Sequence, residues 1–514
     1  MMQGLLKTIA RGFRTYDALS TAIMAVFIGV SVSFAAIGFR EIILGTQTLA
    51  LGIATEKILD HARGLPWWQL FCPPVVGGLV VAIALRFLMP DRRPYGISDI
   101  IEANALKHGR IPLLPGLASA VISAFSLGAG SSAGREGPIV HLGATLAAAT
   151  AKAFRFSPAL ARTLLGCGVA SAVAGSFNAP IAGVFFALEV IIGHYALHAF
   201  APIVLASVAG TIVSRAYYGD YPAFALPDYY LATAWEFPAF LLLGLVSAIA
   251  ASFFMRSIFI AEDLANRVSA IPAWARPPFA GLVIGGTAIL FPEILGVGYD
   301  ATDHALKELF PLWLLLALVG LKTLTTAISL ACRFGIGVFS PALFVGAMVG
   351  AAFGTLASRA VPGVGADIGL YAIVGMGAVA SAVLGAPIST ILIVFELTGD
   401  YQITLALMVS TVTANLLTRH FTGHRAIFFE QLERRGLHLE GGRAQHLLRY
   451  TPVKDLIDTR VVVVRHDASF AEVRDRLFET TLGLVAVVDK DDRLIGRILL
   501  TDLRNISGGE TINQ

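Results

Sequence analysis

The chemistry of this sequence centres on Glu136. It stands in Gly134-Arg135-Glu136-Gly137-Pro138, a carboxylate between glycines with a proline two residues on. Proline favours the first turn of a helix, where its missing N–H costs nothing. The N–H groups of that turn lack intrahelical partners and carry the positive end of the helix dipole. The flanking glycines let a ligand come close to the backbone. This is the pattern of an anion site, with a carboxylate placed where the anion should sit. Ionised, Glu136 competes with the anion; protonated, it loses that competition and swings away. Glu136 is therefore a candidate gate and proton carrier, the alternative being a structural ion pair with Arg135 or a neighbour.

A second stretch shares the skeleton. Gly337-Val338-Phe339-Ser340-Pro341, continued to Gly346-Ala347, repeats the G-x-x-x-P-x-x-x-x-G-A of Gly134 to Ala144 at an offset of 337 − 134 = 203 residues. Ala179-Pro180-Ile181 with Glu189 recurs as Ala386-Pro387-Ile388 with Glu396, at an offset of 387 − 180 = 207. Two pairs at nearly one offset imply two homologous halves, with a site where broken helices meet. The second motif carries no charge, and two such helix starts facing one point would hold a small anion with backbone amides alone. Glu189 and Glu396 read as structural carboxylates hydrogen-bonded to backbone. His141 reads as a polar packing contact, and Arg333 as either a charge that tunes the anion field or a loop charge. An enzyme is not expected. There is no HExxH, and the Gly-x-Ser-x-Gly match at Gly130 to Gly134 has no strand before it.

The elements that must position these residues are membrane helices. The chain has 514 residues, 56% hydrophobic and only 14% charged, with mean hydropathy +0.73, whereas a soluble domain carries roughly 25% charged residues. Ala18–Phe39, Pro238–Met255 and Leu312–Ala331 are long enough to span a bilayer. Leu142–Phe154, Ile181–Ile192 and Pro387–Leu397 are short, as suits segments lining a cavity. Lys7, Arg11 and Arg14 favour a cytoplasmic N-terminus. A net charge of +3 gives no case for nucleic acid. Cys72, Cys167 and Cys332 are expected as buried thiols without metal or disulfide, and no cofactor is expected. After Arg425 the pattern changes: a charged stretch and linker lead to strands at Val461–Val464, Leu484–Val488 and Leu494–Leu500, a helix at Phe470–Phe478, and a final helix capped by Thr501 or Asp502.

On these motifs the chain resembles the CLC family of chloride channels and chloride/proton exchangers over nearly its whole length. Ser131 to Pro138 is similar to the family's G-R/K-E-G-P motif and Gly337 to Pro341 to its G-x-F-x-P motif; Phe177 to Gly183 and Phe395 to Asp400 resemble two further family stretches. The resemblance implies inverted repeats and a homodimer with one pore per subunit. It makes Glu136 the gating glutamate, places the amides of Val338 and Phe339 at a central anion site, and places those of Arg135, Glu136 and Gly137 at an outer one. Residues 452–508 resemble a single CBS domain, its ligand open and pairing across the dimer a hypothesis. Leu499 stands three residues before Asp502 where nucleotide-binding CBS modules often carry Ser or Thr, which speaks against nucleotide binding.

Three departures bear on mechanism. Pro94-Tyr95-Gly96-Ile97-Ser98 matches the family's G-S-G-I-P stretch, so Tyr95 replaces the anion-contacting serine. Phe428 replaces the pore tyrosine of the I-Y stretch. Either Tyr95 supplies the missing hydroxyls, or backbone coordination is left in charge; the larger ring is also a candidate plug. Val190 stands where exchangers usually carry the inner proton-accepting acid. The expectation is an all-α polytopic membrane protein of two inverted-topology repeats with broken helices (17–428). An N-terminal segment (1–16) precedes them; a linker (429–451), a small α/β CBS-like module (452–508) and a tail (509–514) follow. The expected function is passive, gated conduction of chloride and similar monovalent anions across a lipid bilayer, the bacterial inner membrane, with the CBS-like module cytoplasmic. One alternative is chloride/proton antiport with protons at Glu136. Another is a CBS-regulated membrane sensor with little flux.

Overall fold

Proline and left-handed residues punctuate an apolar chain into helices of unequal length. The computed structural model describes residues 18–195, 197–220, 236–268, 270–360, 367–440, 452, 454, 460–480 and 482–502. The basic N-terminal residues, the second part of the expected linker (441–451) and the final helix expected after Asp502 lie outside them. The first half contains α1 (Ala18–Leu51), α2 (Leu59–Ala62), α3 (Trp67–Leu88), α4 (Ile97–Leu106), α5 (Leu113–Gly128), α6 (Glu136–Ala153), α7 (Pro158–Phe177), α8 (Pro180–Phe186) continued by a π turn at Ala187–Ile192, and α9 (Leu197–Tyr218). The second contains α10 (Phe237–Arg267), α11 (Pro277–Leu290), α12 (Tyr299–Leu306), α13 (Leu312–Ala331), α14 (Phe339–Ala360), α15 (Ile368–Leu384), α16 (Pro387–Thr398), α17 (Tyr401–Thr422) and α18 (Ile427–Glu433).

Among the described residues, eight helical spans are long and apolar enough to cross a membrane. Leu312–Ala331 is the expected span; two others run longer than expected. Hydropathy marks only the lipid-matched stretch, whereas α1 continues through Gly38 and Gly45 and stops at Gly52, where φ reaches +73°. Likewise α10 continues past Met255 through helix-forming polar residues to Arg267. The shared skeleton is a shared structure. Helix α5 ends at Gly130 with φ +91°, and α13 ends at Arg333, 203 residues on, with φ +65°. Asn178 and Gly385, 207 apart, end α7 and α15 with φ +58° and +64°. The crossings match as well. A Cβ on Gly143 would lie 2.4 Å from the Gly168 carbonyl, and one on Gly346 2.5 Å from that of Gly375, so helix backbones meet directly at equivalent points of both repeats.

The expectation of three buried thiols needs correction. Cys167 is buried and Cys332 half-buried, but Cys72 is exposed, on a face of α3 with Trp68, Val76 and Leu79. An apolar residue in a membrane helix is served by lipid as well as by protein. All three cysteines are free.

The first compact unit runs to Arg443. Residues 429–440, read as the start of a linker, pack on it instead: Leu432 and Leu439 are buried, Arg434 pairs with Asp263 at 2.7 Å, and Arg435 pairs with Asp99 at 2.9 Å. The second unit, from Ala444, holds β1 (Val462–Arg465), α19 (Phe470–Glu479), β2 (Leu484–Val488) and β3 (Leu494–Leu499). β1 runs parallel to β2 and β2 antiparallel to β3. Ser469 caps α19, and Val464, Val473, Leu477, Val485 and Val487 form its small core. Leu499 donates its N–H to Asp502 at 2.9 Å.

Candidate functional site

The two motifs meet. Gly134 donates its N–H to the Gly337 carbonyl at 2.9 Å, and Gly337 returns the bond to Gly134 at 2.8 Å, an antiparallel bridge between the repeats. Helices α6 and α14 start just beyond it, at Glu136 and Phe339, so both bring unpaired first-turn N–H groups to one region. The glycines are required by the approach: a Cβ on Gly337 would lie 2.9 Å from the Gly137 nitrogen and 3.1 Å from the Gly134 oxygen.

Glu136 is buried, and its carboxylate crosses to the other repeat. Oε1 accepts from the Tyr299 hydroxyl at 2.5 Å, and Oε2 accepts from the Ser340 hydroxyl in the first turn of α14. Arg135 lies at the edge of ion-pair range of Glu136, but its close partner is another carboxylate. The Arg135 guanidinium binds Glu56 at 2.5 Å, and its Nε is 3.9 Å from Glu136. Glu56 also takes Arg40, and the Arg135 guanidinium lies 5.0 Å from the Tyr299 ring centre. Tyr299, Ser340 and Glu56 were not assigned these roles from sequence. The available signal for Tyr299 was its place behind Gly296-Val297-Gly298, a tight turn opening a helix inside an apolar chain.

A cavity of about 360 Å³ reaches the motifs, lined by Gly137, Gly337 and Val338 at the bridge and by Tyr95, Gly96 and Phe428 beside it. Its charged lining comprises Arg93, Arg333, Arg434 and Arg435 with Asp99 and Glu262; Arg93 and Arg435 pair with Asp99, and Arg434 with Asp263. Arg333 donates to the Arg92 carbonyl at 3.0 Å and faces this cavity.

Tyr95 and Gly96 line the cavity, but their donors are engaged elsewhere. The Tyr95 hydroxyl donates to Asp91 at 3.0 Å and its N–H to Ser119 at 2.8 Å. The Gly96 N–H goes to Asp99 at 2.8 Å, because Asp99 sits at the third position of α4 and its carboxylate reaches back to the amide that precedes the helix. The reading in which Tyr95 supplies the missing hydroxyl is thus not the arrangement seen. Its ring packs against His141 at 5.6 Å, the polar packing contact expected of that histidine. Phe428 is buried at the start of α18 and adds no donor. Phe339 packs on Phe177 and Phe186, with ring centres 5.0 and 6.1 Å away. Val190 is buried in the π turn.

The other two glutamates cap helices across the repeats. Glu189 accepts from the N–H groups of Ile388 at 3.2 Å and Ser389 at 2.9 Å and from the Ser389 hydroxyl, at the start of α16. Glu396 accepts from Ile181 at 2.9 Å and Ala182 at 2.8 Å, at the start of α8. Each half completes a helix of the other. Glu189→Ala strips two N–H groups of their acceptor and should lower stability by about 2–4 kcal/mol. Thermal unfolding of the purified protein in detergent checks this, as a clear fall in midpoint.

The profile of the family described as "Voltage gated chloride channel" matches residues 77–419, and that of the CBS domain residues 453–509. A ClcB-like protein of Ralstonia nicotianae is 32% identical over 416 residues, covering 80% of this chain and 96% of that protein. The H(+)/Cl(-) exchange transporter ClcA of Salmonella paratyphi B is 28% identical, covering 82% and 90%. Among solved structures, a slow cyanobacterial Cl-/H+ antiporter aligns at TM-score 0.71 with 23% identity, covering 81% of this chain and 97% of that one. A CLC-type fluoride/proton antiporter aligns at 0.67 with 22% identity, covering 80% and 98%. At such identities the likeness of structures is one of fold. A family profile spanning two thirds of the chain, over the motifs that bring Glu136, Gly134 and Gly337 together, is decisive: the chain belongs to the CLC family, with a CBS domain at its C-terminal end.

Proposed function

We propose that this protein carries chloride and similar monovalent anions passively across a membrane, with Glu136 as the gate. The observation that carries the reading is the position of the Glu136 carboxylate: it lies across the start of α14, beside the bridge where both motifs meet, held by hydroxyl donors an anion would equally use. The amides of Arg135, Glu136 and Gly137 form the outer anion site and those of Val338 and Phe339 the central one. The arginine-rich cavity is the approach, with Tyr95, Gly96 and Phe428 as its lining. Passive flow is favoured by two features. Val190 binds no proton, and both oxygens of Glu189 are engaged in capping α16, which leaves that carboxylate poorly placed to relay protons. The protein works as a homodimer in the bacterial inner membrane, with the N-terminus and the CBS domain in the cytoplasm.

Exchange is the second reading, favoured by the cavity's contact with Gly137, next to the gate, which offers protons a water route. The test is chloride efflux recorded together with external pH from proteoliposomes holding a chloride gradient. Efflux without proton movement is the expected result. Efflux that drives protons uphill would replace conduction by exchange, and no flux with correctly folded protein would favour a sensor with Tyr95 as plug.

A further inference from the structure

Two hydroxyls hold the gate, and neither depends on the gate for its own position. Ser340 lies in the first turn of α14. Tyr299 opens α12 behind Gly298, whose φ of +86° makes the turn. The loop before it is anchored twice: Lys322 Nζ donates to the carbonyls of Ile294 at 3.0 Å and Gly296 at 2.9 Å, and Ala133 donates its N–H to Gly296 at 3.1 Å. The Arg135 guanidinium lies 5.0 Å from the centre of the tyrosine ring. When the carboxylate leaves, the donors stay.

An ionised carboxylate and a halide are both pure acceptors, so a donor placed for one serves the other. The hydroxyl that could have served from Tyr95 is committed to Asp91, and position 428 has none. Building on the reading of Glu136 as gate, we propose that Tyr299 and Ser340 are ligands of the transported anion. They clamp ionised Glu136 in the closed state and donate to a hydrogen-bond-accepting monovalent anion, such as chloride, when the protonated side chain withdraws. The charged groups around the pair are Arg135, whose Nε is 3.9 Å from Glu136, Glu56 beyond it, and Lys322, whose Nζ would lie 3.3 Å from a Cβ on Gly298.

The test is calorimetric titration of chloride into purified full-length protein carrying Glu136→Ala, alone and combined with Tyr299→Phe or Ser340→Ala. Each added substitution should weaken chloride binding roughly tenfold, the effect of losing one hydrogen bond to a charged ligand. In the wild-type background Tyr299→Phe should raise chloride efflux at neutral pH, because the clamp on the closed gate is looser. Phenylalanine keeps the ring and its packing, so a merely structural tyrosine would leave both readouts unmoved. Chloride affinity unchanged in both double variants would overturn the assignment, and should Tyr299→Phe fail to fold, Ser340→Ala decides it. A different failure marks the gate reading itself: Glu136→Ala that leaves the pH dependence of flux as in the wild type, which removes the assignment with it.

Discussion

Glu136→Gln should yield a protein whose chloride flux no longer varies with pH from about pH 4 to about pH 8, at a level matching or exceeding the wild type at its acid end. The sign follows from the site. Ionised Glu136 receives charge-assisted hydrogen bonds from Tyr299 and Ser340 at the start of a helix, where negative charge is favoured. Protonation removes that charge and weakens both bonds, so wild-type flux should rise as pH falls. Glutamine has nearly the same shape and no charge at any pH, so it holds the protonated condition permanently. Closure worth about 3 kcal/mol, two such bonds at the lower end of their range, would keep the wild-type pore shut more than 99% of the time at high pH, and the variant should then exceed it there by roughly 100-fold. Flux in the glutamine variant that still varies with pH would show that another group titrates, and absent flux in folded protein would remove Glu136 as the gate.

The second large effect is expected at Gly337. One methyl group there meets backbone of the other repeat on every side: the Gly137 nitrogen at 2.9 Å, the Gly134 oxygen at 3.1 Å and the Gly137 Cα at 3.2 Å. None of these is a side chain that can rotate away, so Gly337→Ala must push the two motifs apart by a few tenths of an ångström. The cost in stability is about 1–3 kcal/mol. Transport should suffer as well, because on the proposed reading the bridge sets the distance between the two helix starts that would share the anion. Chloride flux should fall at least roughly tenfold, the equivalent of one weakened charge-assisted bond. Proteoliposome efflux, with reconstituted protein quantified, reads this directly. Wild-type flux at normal stability would mean that the bridge is scaffolding without influence on the pathway.

The sequence disclosed this site unevenly, for reasons of distance along the chain. The repeats were legible because Gly134/Gly337 and Pro180/Pro387 recur at 203 and 207 residues, and the structure ends the helices before them at matching positive-φ residues, Gly130/Arg333 and Asn178/Gly385. Backbone-bound roles for Glu189 and Glu396 followed from the expense of burying a charge, although which helix each would cap did not. Tyr299 was out of reach, since nothing local to Gly298-Tyr299-Asp300 announces a partner 163 residues earlier. Glu56 was equally hidden, 79 residues before the arginine it neutralises. Tyr95 illustrates a subtler limit. Its alignment with a pore serine fixed where the residue stands, but its hydroxyl is directed by Asp91, one turn away in sequence and absent from the motif. The extra length of α1 and α10 escaped hydropathy because backbone geometry, not apolarity, ends a helix.

The crossed glutamate caps have a consequence for how the protein is made. The amides of Ile181 and Ala182 await a carboxylate 215 residues downstream. At synthesis rates of roughly 5–20 residues per second, the ribosome needs about 10–40 s to deliver it. During that interval the amino-terminal half has a helix end that no neighbour has yet satisfied, and Glu189 is made before Ser389 exists. Neither half is therefore a finished folding unit, despite the skeleton they share. A product truncated before Glu396 would leave the amides of Ile181 and Ala182 without their acceptor.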